Sequence, residues 1–241
     1  MKKMTVILVV MIISSFYSFS QNLTSGLNSG LIFINKQFDL FESNLMDDDG
    51  LRINLDDVKG SPFLDKNFIK GYILDLSTNN KMDVSLRYNI YNDEMEVINP
   101  VDNSIGALAK KERYVCFFGG DKFVFIKGKT KSGYYKELVS NNTSNGSMSL
   151  LVKYSSIYIP KKYGTTPLQQ GVSAKFNNDE SFYLLMDDTL IKKPKKKKKF
   201  MELFSSNKAL MISYISKNKL KVDKERDLTR IITYYNSLLE K

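Results

Sequence analysis

Few folds can accommodate the stretch Val84-Ser85-Leu86-Arg87-Tyr88-Asn89-Ile90-Tyr91-Asn92-Asp93-Glu94-Met95-Glu96-Val97-Ile98-Asn99. Read as two strands around an Asn92-Asp93 turn, it sorts almost every side chain by face. Both turn residues tolerate the left-handed conformation that tight hairpin turns require. The register then pairs Tyr91 with Glu94, Ile90 with Met95, Asn89 with Glu96 and Tyr88 with Val97. Leu86, Tyr88 and Ile90 share one face with Met95 and Val97. Arg87, Asn89 and Tyr91 share the other with Glu94 and Glu96. Such a split is what a half-buried strand pair needs, and it predicts a solvated polar face. Arg87 lies diagonal to Glu96, within reach of a cross-strand ion pair. Arg87, Asn89 and Tyr91 are therefore the candidate partner-facing residues.

The chain opens with the pattern of an export signal. Lys2 and Lys3 precede an apolar run from Val6 to Ile13, and Ser18 and Ser20 fit a cleavage site after residue 20. The run is shorter than the roughly 20 residues a membrane span requires. The chain's single cysteine, Cys116, is far from this site, which excludes a lipoprotein anchor. The expected location is therefore beyond the inner membrane: periplasmic, outer-membrane-associated or secreted.

Composition limits the chemistry. There is no histidine. Ser-His-Asp and Cys-His catalysis are excluded, as are the usual zinc ligand sets. Cys116 sits in Tyr-Val-Cys-Phe-Phe, the setting of a small buried hydrophobe. Asp47-Asp48-Asp49-Gly50 does not fit a calcium loop, because Leu45 would occupy its first position and no Glu closes it; an acidic turn is expected. No pattern calls for a cofactor. A glycosidase-like carboxylate pair would need Glu94 and Glu96 buried in a cleft.

The formal charge is +10. Without the two leader lysines it is +8, and Lys192, Lys193, Lys195, Lys196, Lys197, Lys198 and Lys199 supply seven of that excess. The rest of the chain is close to neutral, so it lacks the diffuse basic face of a nucleic-acid binder. These seven lysines are the candidate contact with an anionic surface. Three readings of the cluster differ in kind: a nuclear localisation signal, which an export leader contradicts; contact with anionic lipid; or a solvated, self-repelling linker.

Between these ends the pattern is mostly strand. Leu31, Ile34, Phe38, Phe41 and Leu45 step by three and four, which predicts a helix, with a strand at Leu31–Ile34 as the alternative that Gly30 and β-branched Ile32 and Ile34 leave open. Gly60-Ser61-Pro62-Phe63 is a turn. Strands are expected at Phe68–Leu76, through the Val84–Asn99 hairpin, and at 113–118 and 122–126 around Gly119-Gly120-Asp121. Further strands are expected at 134–140 and 148–158, at Val172, Ala174 and Phe176, and at 181–186 and 189–193 around Asp187-Asp188. Phe200, Leu203 and Phe204, then Leu210, Met211, Tyr214 and Ile215, mark short helices. Leu228, Ile231, Ile232, Tyr235, Leu238 and Leu239 stripe a final one behind an Asp223 N-cap.

The fold class is thus α+β: a predominantly antiparallel, curved, meander-like sheet of about eight to ten strands, open to closure as a half-barrel, with C-terminal helices packed on it. The expected division is a signal peptide (1–20), an N-terminal segment helical in part (21–59), a β domain (60–193) and a helical segment of the same domain (194–241).

The hairpin from Leu86 to Glu96, Gly60 to Leu64, and the C-terminal runs Tyr214 to Leu220 and Tyr234-Tyr235-Asn236-Ser237-Leu238 resemble uncharacterised exported proteins of the Bacteroidota. The resemblance covers roughly Gly60 to the C-terminus. It implies export and a single domain, and it carries over no catalytic residue. The expected function is non-enzymatic binding in the envelope, of a protein partner or of a ligand held in an apolar pocket between sheet and helices. The alternatives are a peripheral membrane or lipid-carrier protein using Lys192–Lys199, and a histidine-free hydrolase.

Overall fold

The computed structural model describes residues 40–42, 44–100, 102–128, 132–140, 146–163 and 171–239. The expected signal peptide lies outside them, as does the start of the predicted N-terminal helix. Among the described residues eleven antiparallel strands form one sheet: β1 (Leu40–Glu42), β2 (Ile69–Asp75), β3 (Asn80–Asn89), β4 (Glu94–Ile98), β5 (Ile105–Leu108), β6 (Tyr114–Phe118), β7 (Asp121–Ile126), β8 (Gly133–Val139), β9 (Ser149–Ile159), β10 (Lys175–Met186) and β11 (Thr189–Lys192). Their order is β1-β5-β4-β3-β2-β6-β7-β8-β9-β10-β11. Two meanders, β2 to β5 and β6 to β11, are joined where β2 pairs with β6.

Each turn reflects local chemistry. Gly119 and Gly120, both at positive φ, make a two-residue connection between β6 and β7, where Phe118 pairs with Asp121. Asp187 and Asp188, also at positive φ, do the same between β10 and β11. In the acidic turn Asp47 Oδ1 accepts the backbone N–H groups of Asp49 and Leu51, and Gly50 supplies φ +76°. The one large departure is at the N-terminal side. Leu40 to Glu42, expected in a helix, pair as a strand with Gly106 to Leu108. β5 needs a partner on that edge, and ladder pairing overrides the helical spacing. Among the described residues of this region the helical part is a 3-10 turn at Leu55–Asp57.

The sheet is rolled. Tyr88 on β3 meets Phe123 on β7 with ring centroids 5.6 Å apart, and Tyr134 on β8 at 6.1 Å. Those strands are three and four places away in the sheet. At about 4.8 Å per strand, a flat sheet would hold them roughly 14 and 19 Å apart. Rolling brings Ile73, Leu86, Tyr88, Met95, Val97, Cys116 and Tyr134 into one core from which water is excluded. Burial pushes the Cys116 thiol pKa far up, so it stays a neutral thiol and packs as a hydrophobe.

The ladder does not close on itself. Residues 59–64 strap it instead. Lys59 bridges to Lys175 at the start of β10, and Phe63 bridges to Asn89 at the end of β3.

The second core lies between the β8–β11 end and the helices α1 (Lys197–Met201), α2 (Lys208–Lys217) and α3 (Glu225–Leu239). Leu228, Ile231, Ile232 and Tyr235 are buried on α3, as their spacing predicts. On α2 the buried stripe is Met211 and Ile215, whereas Leu210 turns outward, 52% exposed. Met148, Leu150, Leu184, Phe200, Phe204 and Met211 have no accessible surface and fill this interface. The apolar ligand pocket expected there is occupied by the protein's own side chains. Among the described residues no helix is long and apolar enough to cross a membrane.

Candidate functional site

The hairpin forms with the expected faces in a shifted register. Arg87 pairs with Glu96, Tyr88 with Met95 and Asn89 with Glu94, leaving a four-residue loop, Ile90 to Asp93. The slide keeps every side chain on its own face, so the pattern alone cannot choose between the registers. The longer loop is selected by outside contacts. Ile90 and Tyr91 donate their N–H groups to the Pro62 carbonyl at 2.8 and 3.2 Å, and Asn92 N–H bonds Asn89 Oδ1 at 3.1 Å.

The polar face of this hairpin is covered, not solvated. Asn89 is fully buried and Glu96 is 3% exposed. The segment from Pro62 to Phe68 folds across them. The Arg87 guanidinium is sandwiched between the rings of Phe63 (3.6 Å) and Phe68 (4.2 Å). It donates to Glu96 Oε2 at 2.9 and 2.5 Å and to the Lys66 carbonyl at 3.1 Å. Asn89 Nδ2 donates to the other Glu96 oxygen at 2.9 Å. Tyr91 donates its hydroxyl to the Met46 carbonyl and packs its ring on Phe176. Arg87, Asn89 and Tyr91 are thus spent on internal contacts. Glu96 is committed to a cation, and Glu94 accepts from Asn92, so the two carboxylates do not form an acid–base pair. Among the described residues no three His, Cys, Asp or Glu side chains come together to hold a metal.

A buried lysine that pattern reading passed over closes the roll. The β8–β9 ladder stops at Lys136–Val152, although both strands continue beyond it. Lys153, 3% exposed, sends its ammonium into that gap and donates to the freed Tyr134 carbonyl at 3.0 Å. It also pairs with Asp93 Oδ1 from the hairpin loop and donates to the Tyr88 hydroxyl at 3.2 Å. Tyr88 in turn donates to Asp93 at 2.6 Å. Burial first, and then the Asp93 carboxylate, push the Tyr88 pKa well above its usual value, so the hydroxyl stays protonated as a donor. A Cβ on Gly133 would collide with both Asp93 Oδ2 and the Lys153 ammonium. The sequence signal for this group was a lone lysine inside the apolar run Leu150-Leu151-Val152-Lys153-Tyr154. The cluster is mutually satisfied and buried at Lys153 and Tyr88, with only Asp93 partly open to solvent, so it has the character of a fastening.

The lysine cluster is divided by the fold. Lys192 is exposed at the end of β11. Lys193 is tucked in: its N–H bonds the Phe182 carbonyl, its ammonium lies 5.3 Å from the centre of the Phe200 ring, and burial holds its pKa below the ordinary value against the pull of Asp223. Lys193 therefore drops out of the set expected to face an anionic surface. Lys195, Lys196, Lys197, Lys198 and Lys199 are all exposed. Among the described residues no carboxylate lies within 4 Å of any of these five.

The run is part connector and part helix: all five lysines are exposed, and Lys195 and Lys196 lie in the bend between β11 and α1. Lys196 is the N-cap of α1, with no capping bond from its side chain, and Lys197, Lys198 and Lys199 are helical. The next residue, Phe200, is fully buried. Phe200 meets Phe204 edge-on at 5.1 Å, and Phe204 meets Tyr235 of α3 at 5.0 Å. The first turn of α1 carries lysines and no acid, the unfavourable sign for a helix dipole. The aromatic chain behind it, and not local helix energetics, keeps these charges in place. The result is an exposed basic platform, anchored behind by Phe200 and without a close carboxylate partner among the described residues.

The chain matches no known family model, no functionally described protein and no solved structure.

Proposed function

We propose that this is a non-enzymatic, exported protein of the bacterial envelope that associates with an anionic membrane surface through Lys195, Lys196, Lys197, Lys198 and Lys199. One observation carries the reading: five consecutive lysines are held in solvent on an anchored platform with no carboxylate partner nearby among the described residues. Each lysine near an anionic bilayer contributes roughly 1 kcal/mol. Five contribute on the order of 5 kcal/mol together, a partition preference of about three and a half decades. Ammonium groups are compact point charges that suit phosphate headgroups without demanding one geometry. The leader pattern supports export, and the resemblance to exported Bacteroidota proteins supports the same compartment.

The test is flotation with vesicles of phosphatidylcholine alone and of phosphatidylcholine with phosphatidylglycerol. The protein is expected to float with the anionic vesicles only, and to be released at high salt because screening shortens the reach of exposed charges. Replacing Lys195–Lys199 by serine is expected to abolish flotation. Equal binding to both vesicle types, or flotation that survives the replacement, would remove the reading.

A further inference from the structure

The β9–β10 arm presents a second surface that no intramolecular contact among the described residues accounts for. Its ladder pairs Lys175 with Ile159, and the bridge between Lys162 and Val172 continues in the same register beyond the named strands. The arm is therefore one continuous hairpin as far as Lys162, closed there by reciprocal bonds of 2.9 and 2.8 Å. Its two faces differ. On one, Tyr158 and Phe176 pack at 5.3 Å, and Phe176 meets Tyr91 of the β3–β4 loop at 5.4 Å. That face fastens the arm to the roll.

The other face carries Ile157, Ile159, Lys161 and Tyr163, alternate residues of one strand. Ile157 is 67% exposed and Tyr163 is 78% exposed, the largest value among the exposed hydrophobic residues. The stripe runs about 20 Å, at roughly 3.3 Å per residue. Lys161 places its ammonium 4.8 Å from the centre of the Tyr163 ring. No acidic residue occurs between Glu137 and Asp179, so the distal part of the arm carries Lys161, Lys162 and Lys175 without an acid, and Asp179 and Glu180 pair with Ser155 and Tyr154 toward its base.

We infer that this face of the β9–β10 arm is a second membrane-contact element, which seats Ile157 and Tyr163 in the headgroup and upper acyl region of an anionic bilayer while Lys161 meets lipid phosphate. An aromatic ring with a polar tip, next to lysines whose stems can lie along apolar surface, is the side-chain set that the bilayer interface favours. Beyond the Ile157–Asn177 pair the described residues of the arm carry lysines and no acid, Asp179 and Glu180 lying nearer its base, so it is the distal part that is complementary to anionic lipid. The two elements also share a strand. β11 runs back toward the arm, and Lys193 leaves β10 at Phe182, six residues or about 20 Å from Phe176 at the base of the arm.

The partner is taken from the proposed function, and the experiment separates the two ideas. The chain has no tryptophan, so Tyr163→Trp installs a unique fluorophore at an exposed position. On adding phosphatidylglycerol-containing vesicles its emission is expected to shift to shorter wavelength and to be quenched by brominated acyl chains. Ile157→Ser with Tyr163→Ser is expected to lower partitioning about tenfold, the effect of losing roughly 1.4 kcal/mol of apolar burial, and to leave binding that salt reverses fully. An emission maximum that stays put while the Tyr163→Trp protein floats would place the arm in water. That result overturns the inference and spares the lysine platform. A wild-type protein that does not float with anionic vesicles overturns both.

Discussion

Lys153→Met is expected to destabilise the protein by about 3 kcal/mol, at the lower end of the range for breaking a buried ion pair from one side. The lower end applies because the Lys153 side chain is 4% exposed but that of Asp93 is 24% exposed, so water can partly compensate the stranded carboxylate. The substitution also leaves the Tyr134 carbonyl without its ammonium donor at the point where β8 and β9 separate. Urea denaturation should show a lower midpoint with an unchanged slope, the mark of lost stability in an unaltered fold. Adding Asp93→Asn to Lys153→Met should recover part of the loss, because the stranded charge is then gone, and the non-additivity measures the pair itself. A loss below about 1 kcal/mol, the worth of an ordinary surface pair, would mean that the hairpin loop does not fasten the roll.

The second large effect is expected at Gly71. β2 is the strand that joins the two meanders, flanked by β3 and β6. A Cβ at Gly71 would overlap the Phe117 carbonyl oxygen and lie 2.7 Å from Phe118 Cβ. Because the obstruction is backbone, the sheet must part to admit it. Gly71→Ala is expected to cost more than about 3 kcal/mol and to leave little folded protein, on the scale of severe overpacking. Gly120→Ala is the contrast. It sits in the β6–β7 turn at φ +83° with nothing within 4 Å of the added carbon, so its cost is backbone strain alone, about 1 kcal/mol. Circular dichroism and urea midpoints distinguish the two. A Gly71→Ala protein within about 1 kcal/mol of wild type, the ordinary range of a tolerated substitution, would contradict the close approach of β2 and β6.

What could be read from the residues follows the range of the interactions involved. The faces of the Val84–Asn99 hairpin were legible because alternation is local. Its register was not, because the slide conserves alternation and the deciding bonds come from Pro62. The polar face looked solvated for the same reason: nothing near Arg87 in sequence announces that Phe63 and Phe68 will enclose its guanidinium. Asn177 to Glu180 read as a break between two strands, yet they continue β10, because the long β9 partner supplies a complete ladder. The α3 stripe was legible in full, since one helix face meets one core. The lysine run was visible at once, but its character depended on Phe200, whose burial rests on Phe204 and Tyr235. Lys153 was the hardest to see. One lysine in an apolar strand acquires meaning only when the Asp93 loop arrives from the other side of the roll.

Membrane association through an exposed basic platform is tested most directly by removing the lysines in steps. Partition onto phosphatidylglycerol-containing vesicles should be measured for the wild type and for three variants: Lys198→Ser alone, Lys196, Lys197 and Lys198 together replaced by serine, and all of Lys195–Lys199 replaced. Diffuse attraction to a charged surface predicts a staircase, with each lysine lost weakening partition about fivefold, near 1 kcal/mol per charge, and with the steps shrinking as salt rises. Partition that is unchanged across the series, or that collapses with the first lysine and is indifferent to the rest, would contradict the account.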